Sequence, residues 1–514
     1  MNKRSTGLLL SAILAFVGLL LIDMQFASSV DPVAPTIAPD TATATTATAT
    51  STSTARARDP GVRGGTGAAG GAITGLTDKQ KMFFEAGLDD FSEEESVPEG
   101  LGPTMNLDGC GGCHSQPAIG GSSPPVNPQV AFAGKLHAKN RVPSFITATG
   151  PVREVRFIRN ADGSPDGGVH DLYTITGRDD APGCSMSQPD FATAVANKNA
   201  IFRIPTPVFG AGLMELIPDS AILANQTANA PQRRTFGIRG RPNIILAGST
   251  VSGQPNNNGN DGTIARFGWK SQNKSLLLFS GEAYNVEMGI TNELFQTERA
   301  EQSNCQYAMA PNDTTNSEST DTVGTISAIE KFSIFMRFLA PPAPSADTPG
   351  GALSIGRGQQ LFSSVGCAAC HTPMMQTGNS TVAALRYKPV NLYSDLMIHD
   401  MGPGLADGVS QGQAGPRDFR TAPLWGVGQR IFFLHDGRTS DLLVAIQEHA
   451  SGSTRTNNAS EANLVVANFN NLRENQKQDV LNFLRSRCRV LRAIAGIPAT
   501  VAPVGAAVAR FRAV

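Results

Sequence analysis

Tryptophan, cysteine and histidine are all scarce in this chain, at 2, 7 and 7 residues in 514. Neither sign of charge is in excess: the formal net charge is −1 and the sequence pI near 6.7. That balance excludes a strong electrostatic case for nucleic acid or an anionic membrane surface as partner. No short-period internal repeat is found. Against this scarcity the pattern Cys-x-x-Cys-His occurs twice, as Cys110-Gly111-Gly112-Cys113-His114 and Cys367-Ala368-Ala369-Cys370-His371. At such low abundance one chance match is improbable and two far more so. A thioredoxin-like redox pair or half a zinc site would leave each histidine unexplained, and no second Cys-x-x-Cys lies at zinc-ribbon spacing from either. Each motif reads as a covalent c-type haem attachment site, with two thioethers and an adjoining histidine as proximal iron ligand.

The N-terminus agrees with export. Lys3 and Arg4 precede an apolar run from Gly7 to Ile22 interrupted only by Ser11, a positive n-region and an h-region. Residues 1–30 are therefore a signal peptide, or an anchor if uncleaved, since Phe26-Ala27-Ser28-Ser29 offers small residues without a clean A-x-A. The expected compartment is periplasmic or secreted, with a membrane tether through the N-terminus as the alternative. Residues 31–76 are rich in Thr, Ala and Gly and carry few bulky apolar side chains. They read as a disordered linker. The first helix is expected over Asp78 to Phe91, opened by a Thr77-x-x-Gln80 capping box. Two domains follow, 77–345 and 346–490, one per haem motif, and 491–514 is a tail. With 53 Gly and 33 Pro, the expected fold is mainly α with long irregular loops and a few short strands, in two cytochrome-c-like haem domains. Cys184 and Cys305 either pair in an oxidising compartment or stand as separate buried thiols. Cys488 reads as a small buried hydrophobe.

The second motif is entered by Gly356-Arg357-Gly358-Gln359-Gln360-Leu361-Phe362, as in a class I cytochrome c, and Glu474 to Arg487 suits the closing helix, with Val480, Leu481 and Leu484 at helical spacing. Between them lie NLYSDLMIHDMGPGLADG (391–408), FRTAPLWGVG (419–428) and FFLHDGRTSDLLVAIQEHA (432–450). Together with FGAGLMELIPDSAILA (209–224) and ARFGWK…GEAYNVEMGITNELF (265–295), these segments resemble the dihaem oxidoreductase family. That family is related to bacterial dihaem cytochrome c peroxidases, to the methylamine-utilisation dihaem enzyme and to dihaem rubber oxygenases. The resemblance covers roughly residues 77–490.

In that superfamily the sixth ligand of the C-terminal haem stands fourteen residues after the histidine of His-Asp-Gly. The position here is His449, counted from His435. Spacing agrees, because Ser440 to His449 reads as a helix with Leu442, Leu443 and Ile446 on its core face. The resemblance thus implies a C-terminal haem held by His371 and His449, whose two imidazoles leave no open position. An ordinary surface histidine is the competing reading. His399 and Met401 are fallback ligands, while His399 and His435 otherwise read as structural His-Asp turns.

For the first haem, His137 is the candidate distal histidine, but its surroundings match no ligand motif, and an open position is favoured. By resemblance, Trp269 in Phe267-Gly268-Trp269-Lys270 is the tryptophan that couples the haems, and Glu287 in Val286-Glu287-Met288-Gly289 is the distal glutamate that moves the peroxide proton. A core tryptophan and a surface glutamate are the plainer readings. The expected activity is reduction of hydrogen peroxide at the N-terminal haem, with electrons delivered through the C-terminal one by a small donor such as a cytochrome c or cupredoxin. The rivals are an oxygenase acting on an organic substrate, for which Phe267, Tyr284 and Phe295 supply apolar surroundings, and a dihaem electron carrier in which His137 or Met288 closes the first iron. The expected cofactors are two covalent haem c groups, with calcium at the domain interface as a further expectation.

Overall fold

In a computed structural model, the chain is described over residues 56–487 apart from 66–68, 140, 167–168, 171–176, 247–249, 252–253, 256–262, 301, 344–346 and 455–457. The signal-peptide run, the tail and Cys488 lie outside these residues. Among the described residues the fold is mainly helical with a few short strands, and no helix is long and apolar enough to cross a membrane.

Helix α1 (Asp78–Ser92) opens as its sequence predicts: Gln80 N–H donates to the Thr77 hydroxyl at 3.3 Å, and the Gln80 side chain accepts from Thr77 N–H at 2.9 Å. Helix α2 (Leu276–Met288) is capped by Ser275 and ends on Gly289 at φ 72°. Helix α3 (Ala328–Phe338) begins with a second capping box, Ser327 with Glu330. Phe84, Gly87 and Phe91 share one face of α1 and are buried against α3. A Cβ on Gly87 would run into Lys331 O and reach Phe335 Cβ at 2.9 Å, so the two backbones touch there. Phe91 lies 4.9 Å from Phe335 and 5.9 Å from the His114 ring.

The same device recurs in the second half. Helix α4 (Gly351–Val365) leads into the second haem motif. A six-residue helix α5 (Leu442–Gln447) and the closing helix α6 (Glu474–Ser486) follow. Helices α4 and α6 cross at Gly358, whose Cβ would run into Asp479 O and reach Phe483 Cβ at 2.7 Å. Phe362, four residues on, sits 5.4 Å from Phe483 and 6.3 Å from His371. Gly-x-x-x-Phe thus precedes both motifs, a correspondence hidden in sequence because Phe91 and Phe362 stand at different distances from their cysteines.

A three-stranded antiparallel sheet, ordered β2 (Val169–His170), β1 (Glu154–Phe157), β3 (Ala200–Arg203), flanks the first motif. Ile398–Asp400 pairs with Asp418–Arg420 in the second half. Packing does not respect the expected boundary at 345/346: Met375, Leu385, Val390, Leu392, Leu396 and Met397 join the core formed by Phe84, Phe91, Phe332 and Phe335. Cys184 and Cys305 form a disulfide in a satellite cluster with Val97 and Ala300.

The reading of 31–76 as linker needs correction at its C-terminal end. Ala57 is buried in the α4–α6 core, Asp59 pairs with Arg485, Arg63 N–H donates to Gly428 O at 2.8 Å, and Ile73 N–H donates to Phe338 O at 2.7 Å. Composition misled here because a few small apolar side chains, with polar anchors beside them, are enough to fix this stretch.

Candidate functional site: two cavities joined at a tryptophan

The N-terminal cavity is bordered by Cys110, Cys113 and His114. It holds about 1220 Å³ of empty space with its mouth included. Cys110–Cys113 forms a single helical turn closed by His114 N–H donating to Cys110 O at 2.9 Å. The His114 ring contacts Gly121 O through Nδ1 at 2.9 Å. A carbonyl can only accept, so Nδ1 carries the proton and Nε2 keeps its lone pair for a metal. Burial pushes the imidazole pKa down to about 4, so it stays neutral. Burial and then Glu287 push the Cys110 and Cys113 thiols well up. Neither is the thiolate a redox dithiol needs.

Glu287 stands near the C-terminal end of α2, exposed by its surface area and bordering this cavity. Burial, then the Glu154 carboxylate and, more weakly, Glu282, raise its pKa to about 8, while Arg156 works the other way. Glu154 and Arg156 come from β1 and pair at 3.0 Å. His137 is not at this cavity: it is exposed, on left-handed backbone at φ 59°, with Nδ1 2.7 Å from Asp179. Met288 packs its sulfur 3.9 Å from Cys110 Sγ and does not border the cavity. Among the described residues, His114 is the histidine that faces this space.

The C-terminal cavity, about 1460 Å³ with its mouth included, is bordered by Cys367, Cys370 and the histidines His371, His399, His435 and His449, amid mostly apolar side chains such as Phe362, Leu424, Val465 and Phe469. His371 Nδ1 donates to Tyr393 O at 2.9 Å, and His449 Nδ1 donates to Ala445 O at 2.7 Å. Both rings therefore keep Nε2 unprotonated by the reasoning applied to His114. Burial lowers both pKa values, and each histidine is close enough that His449 further disfavours a charge on His371. His449 follows α5 by two residues, and Leu442 and Ala445 are buried beneath that helix.

The fallback ligand His399 is committed elsewhere. Its Nε2 lies 3.0 Å from Asp395 and its Nδ1 3.0 Å from Glu461. Burial opposes its charge, but Cys370 and Asp395 outweigh burial and hold the pKa well above the ordinary value. An imidazole bonded at both nitrogens has no lone pair to offer. Met401 does border the cavity. His435 is buried, stacked 4.4 Å from Phe419, with its pKa lowered to about 4 by burial.

Trp269 borders both cavities. Its Nε1–H donates to Ile204 O at 2.9 Å, and Ile204 N–H donates to His435 O at 2.8 Å. The next residue, Lys270, is fully buried and pairs with Asp407 at 2.9 Å, which also takes Arg203 at 2.7 Å. Arg203 borders the N-terminal cavity, so this charged cluster reaches it from beside the tryptophan.

Residues 153–487 match the family model described as "Di-haem oxidoreductase, putative peroxidase". The chain belongs to this di-haem family. The match begins downstream of the first Cys-x-x-Cys-His. Among solved structures, a hydrazine synthase of Kuenenia stuttgartiensis is 14% identical over 40% of this chain and 60% of its own, with a TM-score of 0.21. A MauG-like protein associated with microbial copper homeostasis is 16% identical over 48% of this chain and 76% of its own, with a TM-score of 0.25. The chain thus spans about three fifths of the hydrazine synthase chain. No curated protein matches it.

The residues present fit the haems that the di-haem family implies. Arg420 and Arg430 border the C-terminal cavity, and no carboxylate pairs with either among the described residues. Arg420 Nε donates to Gly268 O at 2.9 Å, but its buried Nη1 has no partner. Burial pushes both guanidinium pKa values down to about 10, and Arg430 adds to the effect on Arg420. A buried and a half-buried cation at one cavity call for an anion, and haem brings two carboxylates. Arg420 lies in the quoted FRTAPLWGVG segment, yet the sequence alone assigned it no role. Glu154 and Arg156 were likewise missed, having no motif around them. Among the described residues no group of three or more His, Cys, Asp or Glu is placed to hold a metal ion, so the expected calcium finds no such cluster.

Proposed function

We propose that this protein is a c-type dihaem oxidoreductase that reduces hydrogen peroxide at its N-terminal haem, drawing electrons through its C-terminal haem. The observation that supports the reading most is the difference between the cavities: His371 and His449, each with Nδ1 given to a backbone carbonyl, border one beside His399 and His435, and His114 with Glu287 borders the other. Bound haem iron supplies one-electron redox chemistry and, where a coordination position stays open, a place for peroxide. Cys110 with Cys113 and Cys367 with Cys370 hold the two groups as thioethers in two cytochrome-c-like halves, a reading supported by the repeated Gly-Phe helix crossing. His114 and His371 offer their Nε2 atoms as proximal ligands, and His449 offers the second ligand at the C-terminal site.

Glu287 takes a proton from the incoming peroxide and returns it to the departing oxygen. Its raised pKa lets it hold the proton until it is returned, and the accepting carboxylate prevails above about pH 8. Trp269, bordering both cavities, is the side chain across which an electron passes between them. A small cytochrome c or cupredoxin is the expected donor. The export signal and the Cys184–Cys305 disulfide support a periplasmic or secreted setting. A pure electron carrier would need a further ligand at the first iron, and neither His137 nor Met288 stands at that cavity.

Electron paramagnetic resonance of the purified protein tests this reading. The ferric protein should give one low-spin and one high-spin signal, and peroxide should perturb the high-spin one first. His449→Ala should turn the low-spin signal high-spin. Two low-spin signals unaffected by peroxide would remove the peroxidase assignment.

A further inference from the structure

Residues 56–63 lie upstream of the family-matched residues, and the proposed chemistry leaves them without a role. Their contacts converge on one carboxylate. Asp59 Oδ1 and Oδ2 accept from Arg485 Nε at 2.7 Å and Nη2 at 2.6 Å, and the Arg485 side chain is 1% exposed. The same Oδ2 accepts the Leu442 N–H at 2.8 Å, and Oδ1 accepts Gly61 N–H at 2.9 Å. Leu442 is the first residue of α5, the helix that ends two residues before His449.

A helix of six residues does not hold itself. Helix α5 is fixed at its start by Asp441, which accepts from Leu443 and Val444 N–H, and by Asp59 from a segment 383 positions away. Its last turn supplies Ala445 O, the acceptor that orients the His449 ring. Arg485 meanwhile donates Nη1 to Val427 O at 3.2 Å and Arg430 O at 2.9 Å, and Arg63 N–H holds Gly428 O. Asp59 therefore ties together α5, α6 and the 427–430 segment that carries Arg430 to the cavity. Residues on either side keep it in place: Ala57 N–H donates to Glu474 at 2.8 Å, and Arg58 exchanges hydrogen bonds with Gln478.

We propose that Asp59 is a positioning residue for His449: the N-terminal strap clamps the start of α5 and thereby keeps the C-terminal iron's second histidine engaged. This rests on the reading that His449 ligates that iron. Without the Asp59 carboxylate, Arg485 is left as a buried unpaired cation and one helical N–H loses its acceptor. Helix α5 can then tilt or fray, and the His449 end moves with it.

The test compares Asp59→Ala, Asp59→Asn and Asp59→Glu in the full-length dihaem protein, with His449→Ala as reference. The readout is the high-spin fraction of the C-terminal haem and its capture by carbon monoxide after reduction. Asp59→Ala should raise the ligand-free population at that iron about tenfold, the scale of losing a helix cap together with a buried ion-pair partner. Asp59→Asn keeps the shape of the side chain and should give a smaller rise, and Asp59→Glu should recover part of the low-spin signal. The N-terminal haem signal should not change. A lower melting temperature with an unchanged C-terminal spin state in both Asp59→Ala and Asp59→Asn would overturn the proposal and leave Asp59 as a stabilising contact only. If His449→Ala itself leaves the low-spin signal intact, it is the ligand assignment that fails, and the two failures are told apart by that reference.

Discussion

The two cavities are built on one plan and finished differently. In both, a glycine lets a pair of helices touch, a phenylalanine four residues on lies beside the histidine of the Cys-x-x-Cys-His motif, and that histidine donates Nδ1–H to a backbone carbonyl. The difference lies in what else faces the space. The C-terminal cavity receives His449 from a short helix and is otherwise largely apolar. The N-terminal one receives Glu287, Glu154 and Arg156, groups that move or balance protons. Shared scaffolding with divergent side chains teaches that the motif fixes where a cofactor is attached, while residues from distant segments decide what it does.

The sharpest way to break this comparison is at Glu287. Glu287→Gln should slow peroxide consumption by ~10²-fold or more, the usual scale for losing a general acid–base, while the low-spin signal of the other haem stays as it was. The pH profile gives an independent check. With its pKa raised to about 8 by burial and by Glu154, the carboxyl is protonated below that value and cannot accept the peroxide proton. Activity should therefore climb as pH passes through about 8, and the glutamine variant should lose that limb. A profile that keeps it would assign the base to another group.

Trp269→Phe probes the connection between the sites rather than either one. The indole Nε1–H bond to Ile204 O is lost, but none of the proposed ligands changes. Steady turnover with an external donor should fall by about tenfold, roughly 1.4 kcal/mol on the limiting barrier, with both resting spectra preserved. Stopped-flow reduction of the two haems would show the C-terminal one filling at its normal rate and the N-terminal one lagging. Equal rates at both haems would make Trp269 a packing residue.

What could be read in the sequence was local. The capping box of α1 and the helical spacing of Val480, Leu481 and Leu484 each occupy a short window, and each appears in the fold as expected. His449, singled out by its distance from His435, does border the C-terminal cavity. What stayed hidden depends on partners far apart in the chain. Asp59 meets Arg485 across 426 positions, and Glu461 reaches His399 across 62, contacts that no short window could reveal. Residues 56–65 and 69–76 looked featureless because their anchors are scattered small apolar side chains, backbone amides and single charged groups such as Asp59 and Arg63. The repeated helix crossing was missed because its second partners, Phe335 and Phe483, lie more than a hundred residues from their glycines.

That crossing yields the smallest and most discriminating of these effects. Gly→Ala in a helix ordinarily gains up to about 1 kcal/mol from propensity, but here the new methyl group meets the opposing helix. At Gly358 it would press on Asp479 O and lie 2.7 Å from Phe483 Cβ, and at Gly87 on Lys331 O and 2.9 Å from Phe335 Cβ. Overpacking of this kind costs about 1–3 kcal/mol, so both variants should be destabilised, Gly358→Ala the more because its contacts are the closer. Each 1 kcal/mol should appear as a loss of about 2–4 °C in melting temperature. The helices also carry the phenylalanines beside His114 and His371, so each alanine should disturb the spectrum of its own haem and spare the other. Cross-talk, with Gly87→Ala perturbing the C-terminal signal as strongly as the N-terminal one, would mean that the shared core around Met375 to Met397, and not the local helix pair, governs both sites.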